Sequence, residues 1–235
     1  MNVEFVFSTD DVLLFCLAHA GGSTTAYEKL RLYLSPALRF IPLELSGHMR
    51  RSSEPLHTSF EDVIFDLTKK MCTYIDNSCE KYALFGHSLG AVLAYHLYFA
   101  LKENEKTLPT HIIFSGRWPP YVEKKHTTKH PVYIIDSIVD NNPELNQYFK
   151  QIINADLELL SNMPLTVEPE KIDSEISVLW GTSDVSMDYK DVKHWREAAN
   201  NLIHFYPIHG DHFYPVNNRK ETALCINQIL APYNK

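Results

Sequence analysis

The sequence Gly-His-Ser-Leu-Gly at residues 86–90 follows directly on the apolar run Tyr82–Phe85 and leads into a helical pattern that begins at Leu89. A G-x-S-x-G pentapeptide between a strand and a helix is typical of a nucleophile elbow, a tight turn that exposes a serine hydroxyl at the carboxyl edge of a parallel sheet. Glycines on both sides of the serine have no Cβ atom to collide in such a turn. This stretch predicts an α/β fold and makes Ser88 the candidate nucleophile.

The rest of the chain alternates short apolar runs with longer amphipathic ones. The further runs that predict strands are Leu13–Leu17, Arg39–Leu43, His111–Ser115, Ile176–Trp180 and Leu202–Tyr206. One helix is predicted to follow Thr58, where Thr58 and Glu61 form a capping-box signature. The other helical patterns are Leu89–Lys102, Asp188–Asn200 and Arg219–Leu230. Strands that alternate with helices predict a mostly parallel central sheet with helices on both faces.

The segment 117–171 interrupts this alternation with two or three helical patterns and no strand pattern. Six prolines divide it into short pieces, which suits a lid packed over a sheet edge better than a separate domain. We therefore expect one α/β domain over residues 1–235, with 117–171 as an inserted helical lid.

Composition narrows the class of protein. The chain has 235 residues, 45% of them apolar, and 22 basic against 29 acidic side chains give a net charge of −7. A negative chain is a poor general binder of nucleic acid, which requires clustered Lys and Arg. The longest apolar run, Val12–Ala18, is far shorter than the roughly 20 residues that span a bilayer. We expect a cytoplasmic monomer that binds neither nucleic acid nor membrane.

A serine nucleophile needs a base, and the base needs an acid to orient it. On this kind of elbow the partners follow in the order Asp, then His. Asp184 fits the acid because it follows the strand pattern Ile176–Trp180 and a Gly-Thr-Ser turn, which brings it to the edge of the sheet that carries Ser88. Asp188 and Asp191 are alternatives, although they fall inside the next helical pattern.

His212 fits the base because its loop follows the last strand pattern and precedes the C-terminal helix. His209, three residues earlier, is the alternative. A metal site at His209, Asp211 and His212 is a weaker interpretation, since the sequence has no HExxH and no further ligand at metal-site spacing. The remaining histidines, His48 among them, have no evident partner in the sequence and are interpreted as core or surface residues.

Hydrolysis through a tetrahedral intermediate also needs two backbone N–H groups that face the developing oxyanion. Leu89, which follows the serine, supplies the first of these candidates. The second is expected in the loop after the first strand, where the sequence His-Ala-Gly-Gly at residues 19–22 points to Ala20.

Taken together, these motifs resemble the type II thioesterases, which are stand-alone α/β-hydrolases that accompany nonribosomal peptide and polyketide synthases. The resemblance extends from about Val12 to Leu230. It is carried by residues 19–23, 86–90, 115–117, 181–184 and 210–213.

The resemblance implies an enzyme that hydrolyses acyl thioesters on the phosphopantetheine arm of an acyl or peptidyl carrier protein. It implies the catalytic triad Ser88, Asp184 and His212, with Ala20 and Leu89 as oxyanion donors. No metal or cofactor of its own is implied, because the phosphopantetheine belongs to the partner. A helical lid over the acyl pocket is also implied.

The chain departs from the family pattern outside the triad. Ala18 stands where a proline is common, Ser46-Gly47-His48 stands where Pro-Gly-Arg is common, and Trp118 follows the Ser-Gly-Arg motif where a smaller or basic residue is usual. These departures affect loop geometry, acyl preference and the choice of carrier.

Two questions stay open at this point. The segment 117–130 has four basic residues against one acidic residue, which indicates either a solvated loop or a docking patch for an acidic partner. The triad alone does not distinguish an ester from a thioester. A medium-chain fatty acyl carrier-protein thioesterase, a small-molecule carboxylesterase and a non-catalytic binding protein on the same fold are therefore alternatives.

Overall fold

A parallel six-stranded sheet organises the molecule. The computed structural model describes residues 11–75, 81–122, 143–164 and 168–233. Its strands are β1 (Val12–Leu17), β2 (Leu38–Pro42), β3 (Tyr82–His87), β4 (His111–Ser115), β5 (Glu175–Gly181) and β6 (Ile203–Ile208). The strand order is β2-β1-β3-β4-β5-β6, and every neighbouring pair is parallel. All six predicted strands and the parallel sheet are confirmed.

Helices cover both faces of the sheet. The α-helices are α1 (Phe60–Ile75), α2 (Leu89–Glu103), α3 (Pro143–Ser161), α4 (Tyr189–Val192), α5 (Tyr214–Asn217) and α6 (Arg219–Leu230). The 3-10 helices are Thr24–Tyr33, Met49–Arg51, Lys193–Glu197 and Ala231–Tyr233.

Alternation along β1 divides the core between the two faces, because successive side chains of a strand point to opposite sides. Leu13 and Phe15 pack in one buried cluster with residues of α1 and α2. Leu14 and Cys16 pack in a second cluster with residues of the 3-10 helix Thr24–Tyr33 and of α6. The predicted arrangement of helices on both faces is confirmed.

Two local predictions were wrong. The residue that caps α1 is Ser59 rather than Thr58, since Ser59 Oγ accepts a hydrogen bond from the Asp62 N–H at 3.1 Å. The helix expected over Asp188–Asn200 is only α4 followed by a 3-10 helix. There Trp195 is fully buried and stacks on Phe114 at 3.7 Å, and this packing favours the tighter 3-10 turns over a continuous α-helix.

Part of the predicted lid falls on residues 123–142 and 165–167, which lie outside the described residues. Within the described part, α3 lies over the loops that follow β1 and β2. Tyr148 donates a hydrogen bond to the Gly47 carbonyl at 3.0 Å, and Ile153 packs against Gly21 so closely that a Cβ there would lie 2.1 Å from Ile153 Cγ1. Among the helices in the described ranges, none is long and apolar enough to cross a membrane.

Candidate active site

Ser88 lies in a strained turn between β3 and α2. Its backbone has φ 55° and ψ −112°, a conformation that residues other than glycine rarely adopt. The Ser88 N–H donates to the Ser115 carbonyl at 2.8 Å, which ties the turn to the end of β4. The serine is 8% exposed, at the carboxyl edge of the sheet. The strain is that of a nucleophile elbow, as the pentapeptide predicts.

The glycines of the pentapeptide are required by close backbone approaches. A Cβ on Gly86 would lie 2.1 Å from the Gly90 carbonyl oxygen, and one on Gly90 would lie 2.3 Å from the Leu17 carbonyl oxygen. Real Cβ atoms do not approach a backbone oxygen so closely. The start of α2 therefore sits directly against the end of β1, which brings Leu89 close to the loop that contains Ala20.

Asp184 and His212 contact each other at the same edge of the sheet. Asp184 Oδ2 lies 2.7 Å from His212 Nδ1, and Asp184 Oδ1 accepts from the Ser186 N–H and hydroxyl at 2.8 and 2.6 Å. Burial alone would raise the pKa of Asp184, but the hydrogen bonds and charge of His212 and the hydrogen bonds from Ser186 hold this pKa below its ordinary value. Asp184 is therefore a carboxylate at neutral pH.

The contact with Asp184 also decides which nitrogen of His212 carries a proton. A carboxylate only accepts hydrogen bonds, so Nδ1 is the donor and Nε2 of the neutral ring is left with its lone pair. Nε2 is buried and has no hydrogen-bond partner among the described residues, so Ser88 and His212 are not hydrogen-bonded to each other. Catalytic hydrogen bonds are often formed only when substrate binds. The ring of His87, next to Ser88, lies with its centroid 5.0 Å from that of His212.

The alternative acids cap a helix instead. Asp188 Oδ1 accepts from the Lys190 N–H at 2.7 Å, and Asp191 Oδ2 accepts from the Asp188 N–H at 2.9 Å, which together form a capping box at α4. It is Asp184 that His212 Nδ1 contacts.

The alternative base, His209, is 85% exposed and its Nδ1 lies 3.2 Å from Glu221 Oε1. Asp211 Oδ1 accepts from the Phe213 N–H at 2.8 Å within its own loop. No group of three His, Cys, Asp or Glu side chains in the described ranges is placed to hold a metal ion.

The two amides expected to face an oxyanion belong to adjacent segments. Leu89 is the first residue of α2, where backbone N–H groups have no acceptor within the helix and the helix dipole is positive. Ala20 precedes Gly21, whose own N–H is directed to Asp156 Oδ2 at 2.7 Å. Within the described part of the chain, neither the Ala20 nor the Leu89 N–H donates to another protein group.

Two further imidazoles surround this site and are held neutral. Burial, together with the charge that His212 carries when protonated, lowers the pKa of His19 to about 4. Burial likewise lowers the pKa of His87 well below its ordinary value. His19 Nδ1 contacts the Tyr27 hydroxyl at 2.5 Å, and His87 Nδ1 contacts Ser115 Oγ at 2.9 Å. Because both rings are uncharged at neutral pH, they do not oppose a positive charge on His212.

One contact near the site was not predicted from the sequence. His48, interpreted above as a core or surface residue without a partner, lies with Nε2 3.1 Å from Asp156 Oδ2. The two residues are 108 positions apart in the chain, and no motif connects them. The only available signal was the histidine that replaces arginine in the Ser46-Gly47-His48 motif.

Comparison of the sequence with known families gives a match to the thioesterase domain over residues 13–230. Gramicidin S biosynthesis protein GrsT from Aneurinibacillus migulanus is 21% identical, over 97% of this chain and 93% of its own length. The medium-chain S-acyl fatty acid synthase thioesterase of Homo sapiens is 24% identical, over 92% of this chain and 85% of its own length.

Comparison with solved structures shows which fold this chain shares. ClbQ from the colibactin NRPS/PKS pathway superposes with a TM-score of 0.84 and 24% identity, over 95% of this chain and 98% of ClbQ. The predicted α/β-hydrolase fold is thereby confirmed.

Proposed function

This chain belongs to the thioesterase family, and we propose that it is a stand-alone type II thioesterase that clears acyl groups from the phosphopantetheine arm of carrier proteins in nonribosomal peptide or polyketide synthesis. The observation that carries the proposal is the buried contact of 2.7 Å between Asp184 and His212, at the sheet edge where the strained turn presents Ser88. GrsT and ClbQ, named for such pathways, support the substrate class.

The proposed chemistry is acyl transfer in two steps. His212 Nε2 takes the proton of Ser88 as Oγ attacks the thioester carbonyl, and Asp184 stabilises the imidazolium that forms. The carbon–sulfur bond then breaks, His212 gives its proton to the departing thiolate, and the acyl group stays on Ser88 as an ester. A water molecule, deprotonated by His212, attacks this ester, and the acid leaves as Ser88 regains its proton.

The oxyanion of each tetrahedral intermediate is proposed to lie between the N–H groups of Ala20 and Leu89. Donors of this kind are worth about 10²–10³ in kcat each, because they face charge that develops only in the transition state. The position of Leu89 at the first turn of α2 adds the positive end of a helix dipole.

No step of the proposed reaction requires a cofactor of the enzyme itself. The chain's own side chains move every proton and its backbone amides balance the developing charge, while the phosphopantetheine is covalently part of the substrate. We propose a cytoplasmic monomer whose partner is an acyl or peptidyl carrier protein. The segment 117–171 is proposed to act as the lid over the acyl group.

The proposal is tested by intact-mass measurement of an acyl-loaded carrier protein incubated with the wild-type enzyme or with Ser88→Ala. Expected is loss of the acyl mass with the phosphopantetheine arm retained, only with the wild-type enzyme, and faster than hydrolysis of the matched p-nitrophenyl ester. An unchanged carrier together with rapid ester cleavage would assign the chain to carboxylesterases instead.

A medium-chain fatty acyl carrier-protein thioesterase is the second candidate, and the human medium-chain enzyme is the observation that favours it. A series of acyl-loaded carriers separates the two. A rate that rises steeply up to chains of eight to twelve carbons would favour the fatty acid enzyme, whereas comparable rates on short and aminoacyl groups would favour the editing enzyme.

A further inference from the structure

A buried ion pair joins α3 to the two loops that border the site. Asp156 of α3 is 1% exposed and His48, in the loop after β2, is 2% exposed. Asp156 Oδ2 accepts the Gly21 N–H at 2.7 Å and lies 3.1 Å from His48 Nε2, while Oδ1 has no hydrogen-bond partner in the described ranges. Two donors therefore converge on one oxygen of a carboxylate that water does not reach.

The hydrogen-bond pattern of His48 requires a proton on the pair. His48 Nδ1 lies 3.0 Å from the Ser46 carbonyl oxygen, which only accepts, so Nδ1 carries a hydrogen. Nε2 faces Asp156 Oδ2. If His48 and Asp156 together held no further proton, the lone pair of Nε2 would face a carboxylate oxygen at 3.1 Å. The pair therefore keeps its geometry only while it holds one more proton, on Nε2, which donates to Asp156 Oδ2.

The acidic group Glu44, on the same loop as His48, favours the same state. Glu44 is buried and accepts from the hydroxyls of Ser23 and Thr24 at 2.6 and 2.8 Å. His57 lines the same narrow space between the loop and α3, which is too small to admit water. The titratable groups around His48 include Asp156 and Tyr148 from α3, Glu44 and Arg51 from its own loop and the 3-10 turn that follows, and His57 from the chain before α1.

Burial alone would lower the pKa of His48, but the hydrogen bond and charge of Asp156, the Ser46 carbonyl and the charge of Glu44 raise this pKa above its ordinary value. The electrostatics therefore agree with the hydrogen-bond pattern.

The pair acts on the backbone beside the nucleophile. Gly21 adopts φ +72° and has Ile153 of α3 against it, so this residue packs directly on α3. Gly21 immediately follows Ala20, whose N–H is the proposed oxyanion donor. A shift of Gly21 away from Asp156 would carry the Ala20 amide with it, and a misplacement of about 1 Å in a catalytic site can cost about 10²-fold in rate.

We propose that His48 and Asp156 are positioning residues, a proton-dependent latch through which α3 holds the Ala20 amide in place for the oxyanion. The proposal rests on the function proposed above, because it assigns a task to the oxyanion loop of that reaction. The latch is closed while the pair holds its proton and opens when alkaline pH removes it. Opening lowers kcat with little change in KM, because the amide acts on the transition state rather than on substrate binding.

Two variants distinguish a proton-dependent latch from simple packing. In Asp156→Asn, the atom at the Oδ2 position still faces both the Gly21 N–H and His48 Nε2, so an amide oxygen there accepts from Gly21 but leaves the lone pair of a neutral His48 against it. This variant resembles the deprotonated pair at every pH. In His48→Arg, the charge facing Asp156 is permanent over the accessible pH range. His48→Arg is expected to lack the alkaline decline, and Asp156→Asn is expected to have a lower kcat at every pH without a further alkaline decline.

The measurement is kcat and KM from pH 6 to 9.5 on an octanoyl N-acetylcysteamine thioester, with the Ser88→Ala rate subtracted as background. The wild type is expected to lose at least tenfold in kcat at the alkaline end. Asp156→Ala is expected to have, at every pH, a kcat at least tenfold below that of the wild type at pH 7, with KM within twofold of the wild-type value. Glu158→Gln, an exposed carboxylate two residues further along α3, is the matched control and should follow the wild type.

An alkaline decline that persists unchanged in both Asp156→Asn and His48→Arg would overturn the latch while leaving the hydrolase intact. If the wild type instead showed no hydrolysis dependent on Ser88, the proposed function would fail. In that case the ¹⁵N chemical shifts of the His48 ring still test the latch. A doubly protonated ring at pH 7.5 in wild type and a neutral one in Asp156→Asn would support it, and a neutral ring in both would refute it.

Discussion

Asp184 Oδ2 and His212 Nδ1 lie 2.7 Å apart although 28 residues separate them in the chain. The pairing of β5 with β6 produces this contact, because Gly181 and Ile208 are partners at the carboxyl ends of the two strands. The loops that follow approach each other so closely that a Cβ on Gly181 would lie 2.4 Å from the Asp211 carbonyl oxygen. The two side chains therefore meet because two neighbouring parallel strands end at the same edge.

Replacement of the nucleophile should separate activity from stability. Ser88→Ala removes the attacking oxygen but keeps the turn, so thioester hydrolysis should fall to background and the free energy of unfolding should change by less than about 1 kcal/mol. Turnover and chemical denaturation, measured on the same preparation, check both parts. Substantial residual hydrolysis by the alanine variant would exclude Ser88 as the nucleophile.

Asp184→Asn should lower kcat by on the order of 10⁴, because the amide can stabilise the wrong tautomer of His212 and offers no negative charge to its imidazolium. Asp188→Asn is the matched control, since Asp188 only caps α4. It should cost about 1 kcal/mol of stability or less and leave kcat unchanged. Equal kcat values for the two variants would exclude Asp184 as the acid.

Gly90→Ala should damage the elbow, because the new Cβ would lie 2.3 Å from the Leu17 carbonyl oxygen. Relief of that clash requires a backbone shift, and we expect a loss of about 1–3 kcal/mol in stability together with a lower kcat. Ala100→Gly, near the far end of α2, should cost about 1 kcal/mol through helix propensity with kcat retained. Unfolding curves that coincide for Gly90→Ala and wild type would contradict the close approach.

His96 should make the protein less stable in acid. Burial lowers the pKa of His96 to about 4 in the folded protein, below the value of about 6.5 of the unfolded chain. The unfolded state therefore binds more protons between these two pH values, so the stability that His96 contributes is complete above about pH 6.5 and is lost as pH falls towards 4.

His96→Phe removes this titration and suits the surroundings, since the Phe60 ring lies 4.8 Å from the His96 ring. The loss of unfolding free energy between pH 7.5 and 4.5 should be smaller in the variant than in wild type, by up to about 3 kcal/mol. Urea denaturation at the two pH values measures the difference. An identical loss in both proteins would mean that His96 accepts a proton without unfolding.

The basic segment 117–130 gives a prediction about the partner, although its lysines lie outside the described residues. If it docks a carrier protein, Lys124→Glu combined with Lys125→Glu should raise the KM for an acyl carrier several-fold and leave the KM for a small thioester unchanged. Lys29→Glu is the control, on an exposed position of the 3-10 helix Thr24–Tyr33. A carrier KM unaffected by the double reversal would identify the segment as a solvated loop.

The secondary structure could be predicted because its signals are local. The strands are short apolar runs between turn residues, and α2 and α6 begin at the residues predicted for them. The failures are also local: Ser59 and Thr58 are adjacent residues with equivalent capping hydroxyls, and Ser59 is the cap because α1 begins at Phe60. At Asp188–Asn200 the periodicity of a helix was present, but burial of Trp195 required a different backbone path.

The sequence by itself determined the elbow, because a turn between a strand and a helix with glycines on both sides of Ser88 is specified within a few residues. It also narrowed the acid and base to neighbouring candidates in two loops. Only the tertiary structure separated Asp184 from Asp188, and only it brought His48 to Asp156. Contacts of that kind depend on strand order and on the packing of α3 over two distant loops, and the free energy that selects them comes from residues throughout the core rather than from the sequence nearby.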